Sequence, residues 1–346
     1  MRILQITPRY PPQTGGVETH VRAVSEGLAA RGHEVTVLTA DAGPDVARRE
    51  THNGVDVRRH RSLAPGGAFH AAPGVAASVR RLPADVVHAH NYHSLPLFAA
   101  ALAAGGSRLV LTPHYHGESD HPVRNALLSA YRPVGGWALR RADAVVAVSE
   151  WERDQLRAAF GVEPTVVPNG IDREWFRTAT PEERDRPYLL CVGRLEEYKR
   201  IQDVIRALPS LPAFDLVVAG DGPERDRLES VAADSGVADR VHFEGYVGDD
   251  RLPSLYAGAS VYVTLSQIEA YGMTVGEALA AGTPCIVAET GALAEWTRYE
   301  GCVGVAARDP ETVAAAVKEA ADLSPDAALP DWSEVTDRLL DIYTRS

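Results

Sequence analysis

Lysine is almost missing from this 346-residue chain, where Lys199 and Lys318 are the only two against thirty-three arginines. A lysine kept where arginine is the habit marks a place that wants a compact point charge, which makes Lys199 a candidate binding residue. Cysteine is nearly as scarce. Cys191, Cys285 and Cys302 are odd in number and lack metal-ligand spacing, which argues against a disulfide framework and predicts reduced thiols, with Cys191 and Cys285 packed in apolar runs. No apolar stretch reaches eighteen residues, so no segment reads as a membrane-spanning helix. The opening, Met1 to Thr7, is too short an apolar run for a secretory signal and reads as a first strand, so the expected location is cytoplasmic. G-x-G-x-x-G occurs nowhere, and an NAD-dependent enzyme loses support.

What is present is an ordinary globular composition, 45% hydrophobic and 24% charged, in a length that suits two domains. Charge is divided unevenly. Residues 1–168 hold eighteen Lys and Arg against fifteen Asp and Glu, a balance of +3; the remainder holds seventeen against thirty-two, or −15. Basic pairs fall in the first part, at Arg48-Arg49, Arg58-Arg59, Arg80-Arg81 and Arg140-Arg141, around a small-residue loop from Ala64 to Phe69. Such a face suits an anionic membrane surface or an acidic acceptor, and solvated arginines are the alternative. No nucleic-acid partner is expected.

Strand patterns at 3–7, 34–39, 54–57, 85–90, 109–112 and 144–148 alternate with helical or loop segments, and Val17, Val21, Val24 and Leu28 carry helical spacing after Gly15-Gly16. A second round begins after Val166-Val167-Pro168-Asn169-Gly170, with strands at 188–192, 216–219, 241–243, 261–265 and 284–288 and a last helix from Trp332 to Tyr343. This is an α/β pattern of parallel sheets covered by helices, whose ligands bind beyond the carboxyl ends of the strands. Predicted domains are 1–167, completed by 332–346, and 168–331.

Four places at strand ends carry chemistry. Gly15-Gly16 allows close backbone approach to a ligand. His114 and His116 follow the strand at 109–112, as candidate functional imidazoles; metal binding gains little support, because no carboxylate or cysteine completes a zinc set. Arg194 and Lys199 follow the strand at 188–192, placed to neutralise a diphosphate, with surface salt bridges as the alternative. In Ser266 to Glu277, a strand-to-helix turn, Gly272 and the amides near Met273 and Thr274 form a seat for phosphate. Glu269 and Glu277 flank that seat, each able to accept hydrogen bonds from vicinal hydroxyls. A phosphate between two hydroxyl-bearing rings is the layout of a nucleotide-sugar.

Gly15-Gly16, Gly193-Arg194-Leu195 to Lys199, Gly220-Asp221-Gly222-Pro223 and Glu269 to Glu277, in this order, resemble the retaining GT-B glycosyltransferases of family four, which include bacterial mannosyltransferases and sucrose and starch synthases. The resemblance covers nearly the whole chain. It implies two Rossmann-like domains facing across a cleft, with the C-terminal helix crossing back to the first. It further implies that Arg194 and Lys199 hold the donor diphosphate, Glu277 accepts the ribose hydroxyls and Glu269 contacts the transferred sugar. Amides near Gly16 and Met273-Thr274 add to the phosphate cradle. His114 matches the family's Thr-x-His pattern after Thr112 and would lie beside the anomeric centre, while His116-Gly117 is a competing match. Tyr271 and Met273 depart from the family's commonest residues, which bears on sugar contacts.

No Asp-x-Asp occurs, in agreement with the family's metal independence, so no cofactor and no metal are expected. The implied reaction moves a hexose from GDP-mannose or a UDP-hexose to a hydroxyl acceptor with retention, the acceptor being a lipid-linked or cell-surface glycan precursor. A nucleotide-sugar 2-epimerase and a non-catalytic nucleotide-sugar-binding protein are the alternatives.

Overall fold

The structure is a computed structural model and describes residues 1–43, 45–63, 69–117 and 122–345. It divides into two compact units, Met1–Gly170 with Trp332–Ser346, and Ile171–Asp331. In the first unit, strands β1 (Arg2–Ile6), β2 (Glu34–Thr39), β3 (Arg49–His52), β4 (Val55–Arg59), β5 (Val86–His90), β6 (Arg108–Thr112), β7 (Ala144–Ala147) and β8 (Thr165–Val166) form one sheet in the order β3-β4-β2-β1-β5-β6-β7-β8. All neighbours are parallel except β3 and β4. That exception is a hairpin that the apolar pattern does not announce. Asn53 and Gly54, both with positive φ, form a two-residue turn between the paired residues His52 and Val55, the backbone that Asn-Gly favours. Gly54, expected within a strand, is therefore in the turn.

Both faces of this sheet are covered. Val37, Val57, Val86 and Val110 pack on one side with Val21, Val24 and Leu28 of the helix Gly16–Ala30; Leu38, Val87, Ala89 and Leu111 pack on the other. Each large aliphatic side chain so buried contributes roughly 1.5–3 kcal/mol. The final helix, Trp332–Thr344, belongs to this unit, placing Val335, Leu339, Ile342 and Tyr343 in the same core as the first helix. The two helices approach closely at Gly27, where a Cβ would lie 2.7 Å from the Thr336 hydroxyl.

The second unit holds β9 (Tyr188–Val192), β10 (Asp215–Ala219), β11 (Val241–Gly245), β12 (Val261–Thr264), β13 (Cys285–Ala288) and β14 (Cys302–Val305), all parallel, in the order β11-β10-β9-β12-β13-β14. The four inner strands β9, β10, β12 and β13 are near-continuous apolar runs because both their faces are buried. Cys191 and Cys285 are buried free thiols within them. In each sheet the chain leaves the centre in both directions, between β1 and β5 and between β9 and β12. These are the switch points beyond which α/β sheets bind ligands.

Two surface expectations change. Arg59, read as part of an exposed basic face, is buried, with its guanidinium 3.0 Å from Asp41 and 2.5 Å from Glu50; Arg58 pairs with Asp56 at 2.7 Å. The reason is the strand itself, since successive residues of β4 point to opposite faces. Arg80, Arg81, Arg140 and Arg141 remain exposed. Ala64 to Ala68 lie outside the described residues. Among the described residues no helix is long and apolar enough to cross a membrane.

Candidate functional site

In the second unit the loops after β9 and β12 are built against each other. Gly193 donates its amide to Ala219 O at 3.0 Å, Leu195 donates to Asp221 O at 3.0 Å, and Glu224 donates back to Leu195 O at 3.1 Å. A Cβ on Gly220, whose φ is +143°, would lie 1.9 Å from Gly193 O, so the Gly220-Asp221-Gly222 stretch is a backbone buttress for the Gly-Arg loop. Gln267 donates to Tyr198 O at 2.9 Å and joins the two loops. Across that junction Lys199 Nζ lies 2.5 Å from Glu269 Oε1, with the two side chains 19% and 21% exposed. Burial disfavours the ammonium, but the Glu269 charge and hydrogen bond outweigh it and hold the Lys199 pKa above its ordinary value. Arg194 is largely exposed and pairs with Glu196 at 2.7 Å.

The helix Met273–Ala280 starts directly after this loop. Gly272 is in the left-handed region with φ 89°, and a Cβ there would meet Leu293 Cδ2 at 2.8 Å, so glycine is needed on both conformational and steric grounds. Gly272 gives the helix no side-chain cap, and the first-turn amides of Met273 and Thr274 point out of its positive end. Trp296 secures the turn from beneath, donating Nε1–H to Tyr271 O at 2.6 Å. Two tyrosines that the sequence reading did not single out fix the helix side chains. Tyr262 donates to Thr274 Oγ1 at 2.7 Å, and Tyr256 donates to Glu277 Oε2 at 2.9 Å. Burial drives the Glu277 carboxyl up to about 7, against the lowering effect of the Tyr256 hydrogen bond.

In the first unit, Gly15-Gly16 opens the first helix, and the carboxylate of Glu18 folds back over Gly15, where a Cβ would collide with it. Arg9 neutralises that carboxylate at 2.8 Å. His114, in the left-handed region with φ 47°, is buried beside His20 and His90, with ring centroids 5.1 and 5.7 Å away. His116 lies apart from this group and stacks on His93 at 4.1 Å. His88 and His90 are held by side chains, not by backbone. His88 bonds Tyr343 Oη at 2.6 Å and Thr112 Oγ1 at 2.7 Å, and His90 Nε2 bonds Gln5 Oε1 at 2.8 Å. Burial pushes His20 down to about 4 and His88, His90 and His114 well below the usual histidine range. His20 has a legible signal, since it falls on the helical stripe of Val17, Val21 and Val24. His90 and Tyr343 have none in their local sequence.

Two stretches of the chain match family models, residues 14–175 the model for Glycosyltransferase Family 4 and residues 172–329 that for Glycosyl transferases group 1. The sequence is 33% identical to a glycogen synthase of Mycobacterium tuberculosis, over 93% of this chain and 86% of that one. It is also 33% identical to the GDP-mannose-dependent alpha-(1-6)-phosphatidylinositol monomannoside mannosyltransferase of the same species, over 92% and 88%. Among solved structures, sucrose-phosphate synthase from Thermosynechococcus elongatus has the same fold, with TM-score 0.85 and 21% identity over 99% and 98% of the two chains. So does Anabaena HepE, solved with UDP and glucose, with TM-score 0.80 and 18% identity over the whole of both chains.

Proposed function

Because the chain belongs to the family 4, group 1 glycosyltransferases, we propose that it moves a hexose from a nucleoside-diphosphate sugar to a hydroxyl acceptor, with retention and without a metal. The observation that carries this reading is the joined pair of loops after β9 and β12. It sets an ammonium, an exposed guanidinium and a helix start beside two carboxylates that can accept hydroxyl hydrogen bonds. Lys199 and Arg194 take the diphosphate, aided by the amides of Met273 and Thr274 and those near Gly16. Glu277 takes the ribose hydroxyls, Glu269 the transferred sugar, and His114 lies beside the anomeric carbon. The two cations supply the charge stabilisation that a divalent ion would otherwise give. No cofactor is required.

The acceptor hydroxyl attacks on the face that the diphosphate leaves, and a departing phosphate oxygen takes its proton. Double displacement through Glu269 is disfavoured because it needs a carboxylate on the face of the anomeric carbon opposite the diphosphate, whereas Glu269 is assigned to the hydroxyl side of the sugar. GDP-mannose, named for one mycobacterial relative, and a UDP-hexose, in line with the UDP and glucose bound to HepE, are the proposed donors. A lipid-linked or cell-surface glycan precursor is the proposed acceptor, supported by the phosphatidylinositol mannoside in that relative's name, with the protein cytoplasmic and peripheral on an anionic membrane face. Arg48, Arg49, Arg80, Arg81, Arg140 and Arg141 are the exposed members of the basic pairs left to make that contact. The test is NMR of the glycosidic product. An anomeric configuration equal to the donor's supports the mechanism; the opposite configuration, or interconversion of donor sugar without acceptor, overturns it.

A further inference from the structure

Three histidines far apart in sequence converge in the first unit, His20 from the first helix, His90 from the end of β5 and His114 from the loop after β6. One ring nitrogen of each lies within 4.8 Å of the corresponding atoms of the other two, and all three side chains are buried. Their hydrogen bonds decide which nitrogens carry protons. Gln5 donates Nε2–H to Tyr343 Oη at 3.2 Å, which turns its carbonyl oxygen toward His90. A carbonyl oxygen only accepts, so His90 carries its proton on Nε2 and has a bare lone pair on Nδ1. By the same argument His20 donates Nδ1–H to Asn169 Oδ1 at 2.8 Å and has a bare lone pair on Nε2. Those two atoms, His90 Nδ1 and His20 Nε2, are buried without a hydrogen-bond partner, and so is His114 Nε2.

Leaving buried acceptors unsatisfied is costly, so two bare lone pairs with the unpartnered His114 Nε2 beside them call for an occupant that attracts lone pairs. We propose that His20, His90 and His114 form a binding site for a borderline-soft divalent cation, Zn²⁺ or Ni²⁺, whose occupancy blocks the enzyme. Neutral imidazoles suit these metals, whereas Mg²⁺, Ca²⁺ and Mn²⁺ prefer oxygen. The Gln5 and Asn169 amides that fix the tautomers of His90 and His20 are the usual kind of companion of metal-binding histidines. Three nitrogens leave a fourth tetrahedral position for water or an anion. Zn–N bonds of about 2.0–2.1 Å require nitrogens about 3.4 Å apart, so binding draws the three rings together from the spacing seen here. His114 is thereby removed from its proposed place at the anomeric carbon. That last consequence rests on the transferase reading; the binding itself does not.

The experiment is zinc binding to the full chain, stripped with EDTA, exchanged into metal-free buffer and followed by calorimetry and by metal analysis after dialysis. The expected result is one zinc per chain, at least tenfold weaker binding in His20→Ala and in His90→Ala, and no competition from excess Mg²⁺. Imidazole ¹⁵N NMR of the wild type keeps the test decisive if either variant misfolds. It should show protons on His20 Nδ1 and His90 Nε2 and a zinc-induced shift of His20 Nε2, His90 Nδ1 and His114 Nε2. Retention of zinc by both folded variants, or three nitrogens unmoved by zinc, overturns the site. If zinc binds and activity is unaffected, the metal site stands and the placing of His114 at the reaction centre fails.

Discussion

Lys199 and Glu269, seventy positions apart, meet at 2.5 Å where the loops after β9 and β12 join. This pair holds the one lysine of the second unit's strand-end loops in place, and it leaves a cation and an anion at the site instead of an unopposed positive charge. Under the proposed function, a diphosphate arriving there would compete for the ammonium and free the Glu269 carboxylate for sugar hydroxyls. The contact therefore couples the two halves of the proposed donor site.

Lys199→Ala should lower donor kcat/KM roughly ten- to hundredfold, the worth of a charge-assisted bond of about 1.5–3 kcal/mol. Arg194→Ala should also weaken donor use. Combining Lys199→Ala with Glu269→Gln removes the unpaired carboxylate, so thermal stability recovers while donor use stays low. Recovery of activity together with stability would make the pair purely structural.

Glu277 yields a pH signature with two opposite signs. Its folded pKa of about 7 is raised above the usual carboxylate value, so its contribution to stability is full below the unfolded pKa and is lost as pH rises through about 7. Donor affinity should move the other way, rising through the same range as the carboxylate ionises and accepts ribose hydroxyls. Calorimetric donor binding from pH 5.5 to 8.5 checks this. Tyr256→Phe should shift the transition upward, because the Tyr256 hydrogen bond favours the ionised form.

Gly220→Ala forces a methyl to within 1.9 Å of Gly193 O at a φ of +143°. The Gly193–Lys199 loop must move, so the variant should melt lower and lose donor affinity without touching any ligand-binding side chain. Wild-type donor affinity at unchanged Tm would show that the buttress is dispensable.

Turnover should survive EDTA. Loss of activity on chelation, restored by Mn²⁺ or Mg²⁺, would mean that Arg194 and Lys199 are insufficient to offset the diphosphate charge.

The alternation of apolar runs and glycine-bearing strand ends exposes the two-sheet plan in the sequence, because buried parallel strands are long enough and apolar enough to stand out. β3 does not stand out: Arg49–His52 is polar and exposed, and only the Asn-Gly turn betrays it. β14 is four residues with an internal glycine, too short for a period to register. The donor-side loops are legible because scarcity singles out Lys199 and because Glu269 and Glu277 share one turn. The histidine group is not, since Gln5, His20, His90, His114, Asn169 and Tyr343 are joined only by tertiary structure. Arg58-Arg59 misleads for a local reason, in that adjacent strand residues cannot share a face.

The most direct measurement is nucleoside diphosphate release from GDP-mannose and from UDP-glucose, in EDTA, with and without a hydroxyl acceptor, for the wild type and Lys199→Ala. Release by the wild type from one donor, dependent on acceptor and largely abolished in the variant, is the predicted result. Release that ignores the acceptor, or that Lys199→Ala leaves intact, would contradict the account.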